Sequence, residues 1–256
     1  MTVQVNYSDS KSRGIIVHSL HKSASMFLYK FFKDLSERKS FQYFSVNNSP
    51  ANRQNLDINI QTNFCICPER KFNFEQHNYP HISEIIHIVQ IRDPRDILVS
   101  EYFSNAWIHP DTQWSEERKE LRTIIQQMSI DEYVVEGAEK LGTFGEIPLK
   151  IRYQPILNLS LPENHQIIII KYEDMITDFK NWLGKSIKPF QFDLNLEPFI
   201  IEEYYNKYKH EFTEKSETLE HKRKMTPGDH KQKLKPDTID KLNDIFKEVL
   251  SNFYSV

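Results

Sequence analysis

The sequence predicts a three-layer α/β/α protein, in which a mostly parallel central sheet of about five strands lies between helices. Two observations support this fold class. Short apolar runs bounded by turn residues recur along the 256 residues, as expected of strands that are buried on both faces. Amphipathic helical patterns fall between several of these runs, which is typical of a parallel sheet. Because no internal repeat, low-complexity tract or long linker divides the chain, we expect one domain over residues 1–256.

The individual elements follow from these patterns. The predicted strands are the runs at residues 15–19, 41–46, 63–67, 85–91 and 166–171. The predicted helices cover residues 24–38, 94–106, 116–127, 130–140, 145–158, 175–185 and 237–254. Ser129 and Glu132 form a capping-box signature at the start of the fourth helix. Apolar residues recur on one face of the last helix, so we expect it to pack against the domain.

Composition narrows the classes of function. The net charge is −3 and 27% of the residues are charged, which favours neither a nucleic-acid-binding protein nor a disordered acidic tail. The longest aliphatic run is far shorter than the roughly 20 apolar residues that cross a bilayer, and the N-terminus lacks the apolar centre of a secretory signal. We therefore expect a cytoplasmic protein with no nucleic-acid or membrane partner. Cys65 and Cys67 lack a His/Cys cluster and are interpreted as structural thiols, so no metal site is expected.

Ligands of parallel sheets bind beyond the carboxyl ends of the strands, so the strand-to-helix turns are the candidate sites. At the first turn, HKSAS follows a strand and opens a helix. Free backbone N–H groups at the helix start, together with Lys22 and the Ser23 hydroxyl, would hold an anion. An ATP-binding loop needs glycine before its lysine and another five residues earlier, but His21 and Ile16 occupy those positions. The segment alone therefore predicts either an anion loop of another shape or a solvated lysine beside a helix cap.

The second turn reads IIHIVQIRDPRDILVSEYFS. Arg92 lies at the end of a strand, Asp93 can cap the next helix, and Pro94 suits the first helical position. The forked donors of arginine suit a phosphate dianion. Ser100 follows about two turns along the helix.

Four segments together resemble one enzyme family. RDPRDILVS resembles the 3′-phosphate motif of sulfotransferases that use 3′-phosphoadenosine 5′-phosphosulfate (PAPS), and HKSAS resembles their 5′-phosphosulfate loop. KYEDM resembles the family's Tyr-Glu-Asp segment, and RKMTPGD resembles its late loop over the 3′-phosphate. The resemblance implies a P-loop-like sulfotransferase fold, PAPS as co-substrate, adenosine 3′,5′-bisphosphate as product, and no metal. It spans nearly the whole chain.

The resemblance also implies residue roles. Lys22 would bridge the leaving phosphate and the transferred sulfonate, offsetting charge on the leaving oxygen. The implied nucleotide ligands are Lys22, Ser23, Ala24, Ser25 and Met26 at the phosphosulfate, Arg92, Ser100, Arg223 and Lys224 at the 3′-phosphate, and Tyr172 beside the adenine.

The sequence departs from the family pattern at several positions. Met26 and Phe27 stand where many members have threonine and tryptophan, and Met225 replaces a loop glycine. His230 replaces a common tryptophan. No charged ligand is lost, but a hydroxyl is missing from the phosphosulfate loop.

The catalytic base is an open choice. Many members place a histidine just beyond the third strand, where this chain has Glu69. A carboxylate can accept the proton of the acceptor if it lies within hydrogen-bond reach. The alternatives are the nearby His77, His81 and His109, or no dedicated base at all. The catalytic pair that we favour is Lys22 with Glu69.

The predicted function is transfer of a sulfonate group from PAPS to a hydroxyl or amine of a small molecule, such as an aromatic, a sterol or an alkaloid of secondary metabolism. We expect a monomer or homodimer. A small-molecule or nucleotide kinase would share the scaffold, but it should show a glycine-framed lysine loop and acidic metal ligands. A non-catalytic nucleotide-binding protein is the second alternative, because fold alone does not separate these classes.

Overall fold

Five parallel strands form the centre of the molecule. The computed structural model describes residues 12–45, 62–72, 74, 79, 81–108, 116–140, 147–212 and 226–254. The strands are β1 (Arg13–Ser19), β2 (Gln42–Phe44), β3 (Phe64–Glu69), β4 (Glu84–Ile91) and β5 (His165–Lys171). Their order is β2-β3-β1-β4-β5, and every pairing is parallel. The predicted parallel sheet is thus confirmed.

Connections from β1 and β4 run in opposite directions across the sheet. The chain passes from β1 to β2 at one edge and from β4 to β5 at the other. A parallel sheet opens a crevice where its connections diverge, beyond the carboxyl ends of the strands. The fold therefore places the turns after β1 and β4 side by side, as the sequence predicts for a shared ligand.

The helices flank the sheet. They are α1 (Ser25–Arg38), α2 (Pro94–Phe103), α3 (Glu116–Gln127), α4 (Ile130–Glu139), α5 (Leu149–Leu157), α6 (Tyr172–Thr177), α7 (Phe179–Ile187), α8 (Glu197–Tyr208), α9 (His230–Lys233), α10 (Pro236–Ile245) and α11 (Lys247–Phe253). Those at residues 197–208 and 230–233 were not predicted, the predicted helix 145–158 begins at Leu149, and three other predicted helices differ in form. The predicted helix 94–106 ends in a π-helix, Ser104–Ile108. The predicted helix 175–185 is two helices, and Asp178 caps the second. The predicted helix 237–254 is also two, separated at Phe246.

Apolar clusters cover both faces of the sheet. On one face, Phe31 packs against Trp182 and Tyr204, with ring centroids 5.3 Å and 5.6 Å apart. The cluster on the other face joins α2, α4 and α5 to the last two helices. Cys65 and Cys67 are fully buried in the first cluster, and burial raises the pKa of both thiols, of Cys65 to about 12. Such thiols are poor nucleophiles at neutral pH, which agrees with a structural role.

No helix in the described ranges is long and apolar enough to cross a membrane. Nor do these ranges contain a group of three or more His, Cys, Asp or Glu side chains that could hold a metal ion. The capping box predicted at Ser129 is confirmed, since its side chain accepts from Glu132 N and the Glu132 carboxylate accepts from Ser129 N.

The close approach of β1 and β3 gives a stability prediction. Gly14 faces Phe64 in the strand pairing, and a Cβ at Gly14 would overlap the buried Phe64 ring. We expect Gly14→Ala to lower the free energy of unfolding by about 1–3 kcal/mol, because a packed ring cannot move away. Urea unfolding monitored by circular dichroism measures this change.

Gly184 provides the matched control. It lies inside α7, and a Cβ there would meet its nearest neighbour at an ordinary 3.7 Å. Gly184→Ala should therefore be neutral or stabilise by up to about 1 kcal/mol, because alanine favours the helix. Equal effects of the two substitutions would contradict the proposed overlap at Gly14.

Candidate nucleotide and active site

The loop between β1 and α1 adopts an anion-loop shape without glycine. Lys22 and Ala24 have φ values of 64° and 61°, in the left-handed region that glycine normally occupies. Ala24 is the N-cap of α1, and no side chain caps the helix. The Ser23 hydroxyl does not cap it either: this hydroxyl is fully buried and has no hydrogen-bond partner within the described residues. The first amides of α1 remain available to a ligand.

Two side chains of the β4 end hold this loop in place. Gln90 Nε2 donates to the Ser23 carbonyl at 2.6 Å, and Arg92 donates to the Lys22 carbonyl at 2.5 Å. Gln90 is itself fixed by Trp182, whose indole N–H donates to its amide oxygen at 3.1 Å. Because the C=O and N–H of a trans peptide point in opposite directions, the Ala24 N–H faces away from Gln90. The carbonyls of Lys22 and Ser23 thus face the β4 side chains, and the Ala24 N–H faces the opposite side of the loop.

Lys22 is held between α1 and α2. Its Nζ donates to the Ser104 hydroxyl at 2.7 Å, at the start of the π-helix. Burial lowers the pKa of Lys22 to about 8, an effect that Glu101 opposes and that Arg92 and Arg70 reinforce. The lysine is therefore an ammonium group in a site with too little negative charge. An anionic ligand would restore the balance.

The π-helix that carries Ser104 is anchored from α3. The Ala106 carbonyl accepts from Arg122 Nε at 2.9 Å and from Gln126 Nε2 at 2.7 Å. π-Helical turns are frequent at functional sites, because they leave backbone carbonyls and side chains in irregular positions. Here the irregular turn places a hydroxyl against Lys22.

Arg92 connects the two predicted anion turns. Its side chain is 4% exposed, and its guanidinium lies 4.2 Å from the centre of the Tyr172 ring. One arm of the fork binds the Lys22 carbonyl, while Nε is buried without a partner in the described structure. The predicted N-terminus of α2 is confirmed, because Asp93 accepts from Arg95 N at 2.9 Å and Pro94 is the first helical residue.

The turn after β5 is joined to the same group. Tyr172 is 5% exposed and is the first residue of α6. Its neighbour Glu173 accepts from Asp93 N at 2.8 Å and from the Tyr254 hydroxyl at 3.3 Å. Burial raises the pKa of Glu173. The turns after β1, β4 and β5 therefore form one connected unit, and Ser100 lies partly buried farther along α2.

The candidate base lies at the end of β3. Glu69 is 3% exposed, is paired with His18 in the strand register, and accepts from Lys71 N at 3.2 Å. His81 is exposed, in the turn before β4. His77 and His109 lie outside the described residues, as do the predicted late-loop residues Arg223, Lys224 and Met225.

A hydrogen-bonded chain of three histidines leads to this region. His18, His87 and His165 lie on one face of three neighbouring strands, with nitrogen–nitrogen distances of 2.8 Å and 3.0 Å. His18 Nδ1 lies 3.0 Å from the Lys71 carbonyl, which can only accept, so this nitrogen carries the proton. The histidine chain therefore holds Lys71 through its carbonyl, and the N–H of the same residue donates to Glu69. Burial lowers the pKa of His165, which favours the neutral form of this residue.

Sequence reasoning missed several of these residues. Gln90 and His87 are polar positions within an apolar strand, and that interruption was the available signal. No sequence signal pointed to Ser104, because a π-helix has no sequence pattern comparable to a capping box.

Comparisons with known proteins identify the family. The model of the sulfotransferase domain matches residues 13–254. The chain belongs to the sulfotransferase family. A PAPS-dependent sulfotransferase is accordingly the enzyme class of this protein, as its motifs predict. No curated protein matches the chain in sequence.

Solved structures share the fold. Mouse sulfotransferase SULT7A1, complexed with PAP, is 16% identical, with a TM-score of 0.59 over 94% of this chain and 85% of the mouse chain. Retinol dehydratase in complex with androsterone and the inactive cofactor PAP is 11% identical, with a TM-score of 0.55 over 93% and 80% of the two chains. The structure of retinol dehydratase in a complex with retinol and PAP is 10% identical, with a TM-score of 0.51 over 94% of this chain and 81% of the other. At these identities the likeness shows the α/β sulfotransferase fold.

The residues of the site fit PAPS. Ser23 Oγ, Arg92 Nε and His230 Nε2 are buried polar atoms without partners within the described residues. Unsatisfied buried polar atoms are unfavourable and rare in folded proteins, so a ligand with acceptor oxygens at these turns would satisfy the donors Ser23 Oγ and Arg92 Nε. Lys22 and Arg92 supply positive charge at both turns. The donor set suits a nucleotide with two separate anionic groups.

The pKa of Lys22 gives a test. Below pH 8 the lysine is charged in the free protein, so its titration leaves affinity for adenosine 3′,5′-bisphosphate unchanged. Above pH 8 it loses its proton, whereas a bound phosphate favours the charged form, and we expect affinity to fall by about tenfold per pH unit until the pKa of the complex is reached. Isothermal titration calorimetry between pH 7 and 10 measures this dependence. Lys22→Gln should bind more weakly and lose the pH dependence; an unchanged dependence in that variant would assign it to another group.

Proposed function

We propose that this protein transfers a sulfonate group from PAPS to a hydroxyl or amine of a small, largely apolar acceptor. The observation that carries the proposal is the pair of hydrogen bonds from Gln90 and Arg92 to the loop of Lys22. These bonds give a glycine-free loop an anion-binding shape, with a lysine beside it and an arginine at the adjacent turn. That arrangement suits a nucleotide that is anionic at both its 5′ and 3′ positions.

Each predicted nucleotide ligand has a proposed role. The amides of Ser25 and Met26, at the uncapped start of α1, would bind the 5′-phosphosulfate together with Lys22, Ser23 and Ala24. Arg92 and Ser100 would bind the 3′-phosphate, joined by Arg223 and Lys224. Tyr172 would flank the adenine, although Arg92 already covers one face of its ring.

The chemical step is a displacement at sulfur. The acceptor oxygen or nitrogen bonds to sulfur as the bond from sulfur to the 5′-phosphate oxygen breaks, and the acceptor proton passes to a base. Lys22 would stabilise charge on the leaving oxygen, with Ser104 orienting its ammonium group before reaction. The protein contributes mainly positioning and electrostatics, which suits a transfer that needs no covalent intermediate on the protein.

Glu69 is the proposed base. It lies at the carboxyl end of β3, which is next to β1 in the sheet, and Lys71 N orients its carboxylate. This position is adjacent to the strand that leads to Lys22. His77, His81 and His109 are the alternatives.

An apolar acceptor is supported by exposed hydrophobic side chains on the elements that carry the loop. Met26 is 54% exposed in the first turn of α1, and Trp107 is 44% exposed in the π-helix that binds Lys22. Large apolar side chains exposed near polar groups are typical of a binding surface for aromatic or polycyclic molecules. Phenols, sterols and alkaloids are the proposed acceptors.

Three further predictions stand beside this proposal. We propose that residues 1–256 form one sulfotransferase domain, that the protein acts in the cytoplasm as a monomer or homodimer, and that its acceptor belongs to secondary metabolism. The spread of the family motifs along the chain supports the single domain.

Nucleotide binding tests the function directly. We expect adenosine 3′,5′-bisphosphate at about 100 times its Kd to stabilise the protein by about 2.7 kcal/mol and so to raise its Tm. ATP with magnesium should raise it much less. Differential scanning fluorimetry compares the two ligands, and the reverse order would favour the kinase alternative.

Substitution of Glu69 tests the base. We expect Glu69→Gln to reduce turnover by about 10²–10⁴, because its amide still accepts from Lys71 N but cannot take a proton. The acidic limb of the pH–rate profile should disappear with it. His81→Asn is the control and should leave both properties intact. A normal profile for Glu69→Gln would transfer the role to a histidine.

A product screen tests the acceptor class. Purified protein is incubated with PAPS and separate sets of phenols, sterols, alkaloid amines and hydrophilic sugars, and mass spectrometry detects products heavier by one SO₃ unit. We expect products from at least one apolar set and none from the sugars. Sulfated sugars alone would contradict the apolar acceptor, whereas nucleotide binding without any product would favour a non-catalytic protein.

A further inference from the structure

Asp96 fastens the turn before α9 to helix α2. Its carboxylate accepts from Gly228 N at 2.6 Å, from His230 N at 3.0 Å and from His230 Nδ1 at 2.6 Å. Gly228 has a φ of 83°, a left-handed conformation that suits glycine and directs two N–H groups at one carboxylate. The two side chains of this contact, Asp96 and His230, are each 1% exposed. This turn directly follows the predicted late loop, so the contact fixes the base of that loop to α2.

The contact also fixes the orientation of the imidazole. A carboxylate only accepts hydrogen bonds, so His230 Nδ1 carries a proton. Asp96 is ionised, because the hydrogen bond from His230 and the charge of Arg92 outweigh the effect of burial and lower its pKa to about 2. The second ring nitrogen, Nε2, is buried and has no hydrogen-bond partner within the described residues. Nδ1 thus fixes the ring to Asp96, and Nε2 is left for a ligand.

A second buried nitrogen lies in the same group. Arg92 is one helical turn before Asp96 on the chain, and its Nε is also without a partner in the described structure. Asp96 interacts electrostatically with Arg92, while Tyr172 interacts with Arg92, Asp96 and Asp229. Arg92 and His230 both interact with the ionised Asp96 carboxylate, and each has one buried nitrogen without a partner in the described structure. Two such nitrogens favour a ligand with several acceptor oxygens.

We propose that His230 is a ligand of the 3′-phosphate, to which it donates a hydrogen bond from Nε2 beside Arg92. The proposal rests on the proposed function, since it takes the 3′-phosphate to lie at Arg92. Donation from Nδ1 to Asp96 and from Nε2 to the phosphate requires a proton on both ring nitrogens. The tryptophan common at this position in the family has only a neutral N–H donor. This chain therefore replaces a neutral donor by one that carries charge.

Nucleotide discrimination tests the proposal. Isothermal titration calorimetry compares adenosine 3′,5′-bisphosphate with AMP, which lacks the 3′-phosphate. His230→Asn keeps an amide donor near the Nδ1 position for Asp96 but has no atom at Nε2. We expect its Kd for the bisphosphate to rise by about tenfold or more, with the Kd for AMP unchanged. His165→Asn makes the same change in a histidine at the amino end of β5, and should leave both values unchanged.

The outcomes separate this proposal from the function on which it rests. The proposed role of His230 would be overturned if the ratio of the Kd values for AMP and adenosine 3′,5′-bisphosphate were the same in wild type and His230→Asn. An equal loss of affinity for both nucleotides would give that result. If His230→Asn fails to fold, His230→Gln decides. Its amide reaches the Nε2 position as a neutral donor, so we expect an intermediate ratio, and a wild-type ratio would overturn the charged-donor role. Wild-type protein that binds neither nucleotide would overturn the proposed function and this inference with it.

Discussion

The shape of the β1–α1 loop depends on two hydrogen bonds donated by β4 side chains. Lys22 and Ala24 adopt left-handed conformations that cost roughly 1–2 kcal/mol for each non-glycine residue. The bond from Arg92 to the Lys22 carbonyl is charge-assisted and contributes about 1.5–3 kcal/mol, and the bond from Gln90 contributes about 1 kcal/mol. The total cost of the two left-handed conformations is therefore comparable to the total stabilisation from the two hydrogen bonds. The loop therefore keeps its strained shape only while these side chains hold it, which explains how it dispenses with the glycines of an ATP loop.

Arg92 links this loop to the second anion position. One arm of its guanidinium holds the Lys22 carbonyl, its flat face lies on Tyr172, and its Nε is left for a ligand. A side chain that is 4% exposed cannot move without disturbing all three contacts. Arg92 would thus couple ligand binding at the 3′ position to the shape of the 5′ loop. This coupling would favour a nucleotide that carries both phosphates.

Much of the fold could be predicted because its strands and caps have local signals. The run ending at Arg92, with Asp93 and Pro94 after it, fixes a strand end, a cap and a helix start within three residues. The breaks at Asp178 and Phe246 could not be predicted, because apolar periodicity continues through both. A helical pattern reports which face is buried, not whether the axis is continuous.

The site was less predictable because its contacts join residues distant in sequence. Lys22, Arg92 and Tyr172 could be named from motifs. The role of Gln90 depends on Trp182, which is 92 positions away. The contact between Asp96 and His230 spans 134 positions. No local pattern encodes such pairs.

The Met26 departure has a physical explanation in the structure. Its side chain is 54% exposed, so it points away from the buried interior of the loop, and only its backbone N–H at the start of α1 is needed to bind an anion. A threonine hydroxyl at this position would add only one hydrogen-bond donor to the several that the β1–α1 loop already provides. Methionine instead adds flexible apolar surface, which adapts to irregular partners. Under the proposed function, the substitution would shift this position from holding the nucleotide toward contacting the apolar acceptor, and Lys22 would still supply the charge.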